Sequence, residues 1–299
     1  WLLMRPMSLY ESEDSNGEVS LEALFSAPER IEGDNPLSLE KLAFLVCRGG
    51  WPQALGMREE IALDQAMDYY DAVVHTDINR TDDTTKDSER VKRFMRSYAR
   101  NQGTQAANTV IAEDVFRNET VPLAAETVAV YINALKKIFV IEEMAAWNPN
   151  LRSKTAIRSS YTRYFVDPSI AVAALGTGPR ELLEDLRTFG LLFETMCIRD
   201  LRIFADALGG QVYHYRDKDG LECDAVIHLR NGRYGLIEIK IGGDTLIEEG
   251  VKNLKALEDK IDLDKMHAPS FLMVLTGIGD YAYRRTDGVY IVPIGCLKN

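Results

Sequence analysis

From Leu221 to Ile241 apolar and polar residues alternate along two runs that meet at Asn231-Gly232. In the first run the odd positions Leu221, Cys223, Ala225, Ile227 and Leu229 are all apolar, while Glu222, Asp224, Val226, His228 and Arg230 are mostly polar. A period of two marks a strand with one buried face. The second run keeps the phase, with Ile237, Ile239 and Ile241 odd and Glu238 and Lys240 even. Both apolar faces must look the same way, and that fixes the register. A two-residue Asn231-Gly232 turn pairs Arg230 with Arg233, sets Asp224 opposite Ile239 and sends the two isoleucine-rich faces to opposite sides of the sheet. A three-residue loop, Arg230 to Gly232 with Gly232 left-handed in a bulge, pairs Leu229 with Arg233 and brings Asp224 opposite Glu238. The hydrophobic pattern selects this second register.

The surrounding pattern is helical. Between Pro179 and Leu208 the residues Leu182, Leu186, Phe189, Phe193, Met196, Cys197, Leu201, Phe204 and Leu208 fall at helix spacing, with Glu194 at the edge of the stripe and Gly209-Gly210 as the stop. A short strand from Gln211 to Tyr215 follows, then the hairpin, an Asp244-capped helix to about Ile261, and an apolar strand from Phe271 to Leu275. The predicted order is α-β-β-β-α-β. Upstream, Glu11 to Pro36 reads as a connecting loop with a short helix near Ser20 to Phe25. Helices follow around Ser38 to Cys47, Arg58 to Asn79 and Lys86 to Asn101, the first broken from the second by Arg48-Gly49-Gly50-Trp51-Pro52. From Thr104 the pattern predicts helices over Ala106 to Phe116 and Leu123 to Lys137, then strands Phe139 to Ala146 and Tyr161 to Val166, the elements of a winged helix. The fold class expected is mixed α/β.

Facing carboxylates give the hairpin a chemistry. Cross-strand Cβ atoms lie roughly 5 Å apart, so Asp224 and Glu238 repel each other unless something positive binds between them. A divalent cation held by Asp224, Glu238 and the Ile239 carbonyl makes an all-oxygen site suited to Mg²⁺ or Mn²⁺. Lys240, two residues along on the same face, is then available to position a water or to stabilise charge on a phosphate. The plain alternative is a hairpin with Asp, Glu and Lys on its wet face, the usual meaning of an isolated Glu-x-Lys triplet.

With its neighbours, the triplet resembles a known pattern. The element order and the set Glu194, Asp224, Glu238 and Lys240 are similar to the PD-(D/E)xK restriction-endonuclease-like fold, in which the first helix gives a carboxylate and the second and third strands give the Asp and the E-x-K. More widely, Phe193-Glu194-Thr195, Glu222-Cys223-Asp224, Glu238-Ile239-Lys240 and Tyr164-Phe165-Val166-Asp167-Pro168 resemble the domain of unknown function found at the C-terminus of many prokaryotic AAA-type ATPases. In those proteins a P-loop ATPase core precedes a winged helix and a nuclease-like domain. The resemblance implies three segments: the end of the ATPase core with a helical lid or linker over residues 1–103, a winged helix over 104–168, and the nuclease-like domain over 169–299. It also implies that Glu194, Asp224 and Glu238 hold the metal. Trp1 is not an initiator Met, and Arg5-Pro6-Met7-Ser8-Leu9-Tyr10-Glu11 resembles the last strand of the ATPase core, so the chain reads as cut from a longer one. No G-x-x-x-x-G-K-[ST] occurs, and ATP is expected to bind only in the missing N-terminal domain, with self-association through the ATPase region.

Composition narrows the partners. The chain has 299 residues, 46% of them hydrophobic, enough for a core and two or three domains. A net charge of -11 argues against a surface coated for nucleic acid. Locally the balance differs: Arg152, Lys154, Arg158 and Arg163 occur without an acid between Asn150 and Phe165, and Lys136 and Lys137 end the would-be recognition helix. Those six cations either grip DNA phosphates or serve helix dipoles and ion pairs within the fold. Four cysteines without C-x-x-C spacing read as buried thiols in a reducing cytosol, and His228, though on the face of Asp224, reads as an ordinary sheet residue. The longest apolar runs fall far below the ~20 residues that cross a bilayer, and no signal peptide is visible, so a soluble cytoplasmic protein is expected. Two functions survive: a metal-dependent phosphodiesterase, or a module of an ATPase that binds nucleic acid or protein without turnover.

Overall fold

The computed structural model of the chain describes residues 3–26, 31–81, 86–116, 125–148 and 160–299. They form two compact units, one from Trp1–Leu42, Met144–Ser160 and Met196–Asn299, the other from Ala43–Glu143 and Tyr161–Thr195. The described helices are α1 (Leu21–Ser26), α2 (Leu39–Arg48), α3 (Glu59–His75), α4 (Ser88–Arg100), α5 (Asn108–Phe116), α6 (Ala125–Lys137), α7 (Pro168–Leu175), α8 (Pro179–Glu184), α9 (Leu186–Ala207) and α10 (Asp244–Lys260). The strands are β1 (Val19–Ser20), β2 (Gly33–Asp34), β3 (Gly210–Arg216), β4 (Glu222–Leu229), β5 (Tyr234–Lys240), β6 (Phe271–Thr276), β7 (Tyr281–Arg284), β8 (Tyr290–Pro293) and β9 (Leu297–Lys298). The mixed α/β class and the α-β-β-β-α-β order follow the sequence pattern.

The first unit is built on a seven-stranded sheet of order β2-β7-β8-β6-β5-β4-β3. β3, β4 and β5 form an antiparallel meander, whereas β5, β6 and β8 run parallel. A parallel neighbour needs a crossover, and α10 supplies the one between β5 and β6. It packs its Val251, Leu254 and Leu257 on Val226, Tyr234, Leu236, Leu272 and Val274, with Trp147 in the same cluster. Because α10 covers that face, β6 is buried throughout and β5 at every position but Lys240. The reading of the hairpin as a sheet with one wet face is thereby corrected, and Val226, Tyr234 and Leu236 are the residues that make the second face apolar. Residues before Leu42 also fold here: β1 pairs with β9 and β2 with β7, so the compact units divide the chain at other places than the segments read from sequence.

In the second unit α4 is central, in contact with α3, α5, α6 and α7. Its Phe94 stacks on Tyr131 at 5.4 Å, and its Tyr98 meets Phe165 edge-on at 5.1 Å. Asp167, fully buried, caps α7 through the Ser169 N–H and hydroxyl and accepts the Gly50 N–H at 2.9 Å. The Trp51 indole then donates to the Ser169 hydroxyl at 2.8 Å. The Gly49-Gly50-Trp51 break and the Asp167-Pro168 segment are thus one polar knot.

Three element expectations are corrected. The helix from Pro179 to Leu208 is two, because Asp185 accepts N–H bonds from Arg187 and Thr188 and the Thr188 hydroxyl, starting a new helix there. Asp244 is the first residue of α10 rather than its cap, a place taken by Gly243. The strands Phe139 to Ala146 and Tyr161 to Val166 shrink to a bridge of Ile141 with Phe165, since the second half of the former turns to pair with β3: Trp147 N donates to His214 O at 2.6 Å and His214 N to Ala145 O at 3.0 Å.

Candidate active site

The β4–β5 hairpin has the three-residue loop that the alternation selected. His228 pairs with Tyr234 and Ala225 with Ile237, Leu229 N donates to Arg233 O at 2.8 Å, and Gly232 closes the loop at φ +85°. In this left-handed conformation glycine carries no Cβ penalty. Continued in register, Asp224 lies opposite Glu238. The ladder ends just before it, however, at the pair Ala225 and Ile237. The Ile239 N–H, whose turn it would be to meet Cys223 on β4, instead donates to Asp224 Oδ2 at 2.7 Å. Ile239 therefore has its N–H, and by the geometry of an antiparallel pair its carbonyl, on the edge where the two strands part.

Lys240 joins the two acids. Its Nζ is 2.9 Å from Glu238 Oε2 and 3.8 Å from Asp224 Oδ2. The expectation of two carboxylates with no cation between them is thus corrected: the first cation between the acids is the protein's own ammonium. Burial differs among the three, with the side chains of Asp224 and Lys240 about one-fifth exposed and that of Glu238 at 2%. Loss of hydration, then the Asp224 charge, push the Glu238 carboxyl up to about 8 in spite of Lys240. Burial likewise raises Asp224, although Lys240 and the Ile239 N–H oppose the shift. Burial alone would lower Lys240, yet Asp224 and Glu238 outweigh it and hold the ammonium above its ordinary range. Burial and the mutual repulsion of the two carboxylates thus favour a proton held by the Asp224–Glu238 pair, and Lys240 opposes it.

What seals Glu238 is α10. A Cβ at Gly250 would stand 3.3 Å from the Glu238 Cβ and 3.3 Å from Val274 Cγ2, so the helix lies low enough that a larger residue would press both neighbours aside by a few tenths of an ångström. Asn253, one turn on, acts against the rise of the Glu238 carboxyl. Glu249 is close enough for its charge to act on both Asp224 and Lys240. Neither residue is visible from strand alternation. The one signal for them is that Gly250 interrupts an otherwise regular apolar stripe on α10.

Glu194 belongs to the second unit, where its Oε1 accepts the Tyr164 hydroxyl at 2.6 Å. Among the described residues no group of three or more His, Cys, Asp or Glu side chains stands ready to hold a metal. Arg163 is buried and tied by Nε to Ala106 O at 2.8 Å and by Nη2 to Asn108 Oδ1 at 2.7 Å. Lys136 pairs with Glu143 at 2.7 Å, and Lys137 reaches Thr81 O at 3.4 Å. Arg152, Lys154 and Arg158 lie outside the described residues. His228 sits edge-on to Tyr234 in the sheet, lowered by burial, and the four cysteines are buried thiols.

Two comparisons bear on this geometry. Residues 189–297 match the domain of unknown function DUF4143. The match spans α9, the hairpin with Asp224, Glu238 and Lys240, α10 and the remaining strands. Residues 39–181 match a second domain of unknown function, DUF8612, which includes both halves of the Asp167 knot. The gap between the matches contains Asp185, the residue that breaks the long helix. No curated protein and no solved structure matches the chain. Among the described residues no helix is long and apolar enough to cross a membrane.

Proposed function

We propose that the DUF4143 part of the chain is a metal-dependent phosphodiesterase acting on nucleic acid, with Asp224, Glu238 and Lys240 as its centre, in a protein that works with a P-loop ATPase core. The observation that supports it most is the parting of β4 from β5 at Asp224, which sets two carboxylates, the Ile239 edge and one lysine around a single gap. The donor chemistry fits Mg²⁺ or Mn²⁺: two carboxylates and a main-chain carbonyl are all hard oxygens. Such an ion, when bound, supplies a water of lowered pKa and charge neutralisation at phosphorus. Asp224 and Glu238 would hold it. Lys240, relieved of its carboxylate partners, would turn its ammonium to a phosphate oxygen and stabilise the charge that grows there.

Cleavage of single- and double-stranded DNA and of RNA with Mg²⁺ or Mn²⁺ tests the reading. Asp224→Ala and Lys240→Ala should each lose about 100-fold or more in rate, the scale of removing one transition-state partner, with the circular dichroism spectrum unchanged. Absence of wild-type cleavage over the whole panel sinks it. A second reading, a non-catalytic regulatory module that binds nucleic acid or protein, draws on the same cluster: Lys240 already neutralises the acids, Glu238 is sealed, and the net charge is -11.

A further inference from the structure

Where α9 gives way to β3, the surface of the first unit folds inward to a cleft of about 430 Å³. Gln211 and Tyr213 of β3 and His228 and Arg230 of β4 and its loop form its sides, and Asp206 at the end of α9 closes it. It lies apart from the acid cluster: His228 is four residues beyond Asp224, about 13 Å along an extended strand. Glycines keep the space open. Gly209 (φ +69°) and Gly232 (φ +85°) both border the cleft, and a Cβ at either would meet nothing within 4 Å. The Arg230 N–H donates to Gly209 O at 3.3 Å and ties these two sides of the rim together.

The charges in the cleft do not cancel. Among the described residues Asp206 is the one carboxylate in its lining, and it already pairs with Arg5 at 3.3 Å. Arg230 is exposed and makes no ion pair among the described residues. Its loop, Arg230-Asn231-Gly232-Arg233, contains no acid. His228, lowered by burial, adds a neutral ring near pH 7. The Tyr213 hydroxyl donates to Gln211 Oε1 at 2.5 Å, which occupies the amide oxygen and leaves its N–H groups to serve a ligand beside the Arg230 guanidinium. In a chain of net charge -11, this is a locally basic, donor-rich hollow with one aromatic wall.

We propose that the cleft binds a small phosphate monoester carried on a planar ring, of the nucleoside monophosphate class, with Arg230 and the Gln211 amide on the phosphate and Tyr213 beside the base. Its volume falls in the range of about 300–1,000 Å³ typical of small-ligand sites. The fork of a guanidinium matches phosphate oxygens two at a time, and a single unpaired cation suits one phosphate rather than a chain of them. A tyrosine in the wall gives a flat heterocycle a face to stack on. The site shares no residue with the Asp224, Glu238 and Lys240 centre, so it stands whether or not that centre cleaves phosphodiesters.

Titration calorimetry on the full chain, without added metal, tests this with AMP and UMP as ligands and with adenosine, inorganic phosphate and benzoate for comparison. At least one mononucleotide should bind saturably at one site, about 10-fold or more tighter than adenosine or phosphate alone. Arg230→Ala should weaken that binding by about 10-fold or more, the scale of a hydrogen bond to a charged group, and Gln211→Ala by about threefold. Arg216→Ala removes an exposed arginine outside the cleft, one that pairs with Glu222 at 3.1 Å, and should bind as wild type does. Melting temperatures of all three variants should stay within a few degrees of wild type; if Arg230→Ala departs from this, Gln211→Ala decides. Absence of saturable binding by either mononucleotide at millimolar concentration overturns the assignment. So does an equal loss in Arg216→Ala and Arg230→Ala, which would mark diffuse charge attraction, or benzoate binding as tightly as the nucleotides. None of these readouts depends on cleavage.

Discussion

At the scale of single residues, Glu238 concentrates the physical tension in this protein. A carboxyl raised to about 8 by burial and a nearby acid holds a proton in the folded state that the unfolded chain releases near its ordinary value of 4.5. Between those two values the folded state binds more protons than the unfolded one, so stability falls as pH rises across that window. A denaturant series from about pH 5 to 9 should show this decline in wild type and a flatter profile in Glu238→Gln, which carries no titrating proton; equal slopes would mean that Glu238 is solvated. Asp167 is the counterpart in the other unit. It serves the Gly50 N–H and two groups of Ser169, and Asp167→Ala should destabilise by roughly 3 kcal/mol, the scale of leaving several buried donors unmet, as read from chemical unfolding.

At the scale of elements, the hairpin was legible and the helix above it was only half so. Alternation fixed the register because a slip by one residue would have turned Ile237 and Ile239 to the wrong side. What alternation left unread is that Val226, Tyr234 and Leu236 form a second apolar face for α10. Partners across space, such as Lys240 between two acids, leave no spacing in the sequence, and so alternation alone leaves the pair of carboxylates uncompensated. The break at Asp185 did have a local sign, an Asp three residues before a Thr, but the apolar stripe running on either side hid it. For α10 the low seating has a measurable cost of intrusion. Gly250→Val would drive a branched side chain into Glu238 and Val274, and a loss of about 1–3 kcal/mol, the range for overpacking, is expected in thermal or denaturant unfolding. An unchanged midpoint would show that the helix can rise freely.

At the scale of the whole molecule, charge is the broadest constraint. With a net charge of -11, and with Arg163, Lys136 and Lys137 each in contact with an acceptor of the second unit, the chain as a whole disfavours a phosphate backbone. Binding of labelled duplex is therefore expected to be weak and confined to low salt, and to disappear with Arg152→Glu combined with Lys154→Glu. Tight binding that survives about 200 mM salt would point to another surface. The family matches and the compact units also disagree in their bounds: the match to DUF4143 starts at residue 189, whereas β1 and β2, far earlier in the chain, complete the edges beside β9 and β7. Residues before Leu42 are thus part of what a fragment carrying this sheet would have to keep.

The indoles offer an optical handle on this division. Trp147 lies in the core beneath α10, in contact range of Tyr234 at 5.0 Å, while Trp51 is pinned to Ser169 beside Tyr69 at 4.5 Å. Each compact unit thereby carries its own fluorophore in its own polarity. In a Trp1→Phe background, replacing either remaining indole by phenylalanine leaves emission from the other, and the two melting curves report whether the units come apart in one cooperative event or in two.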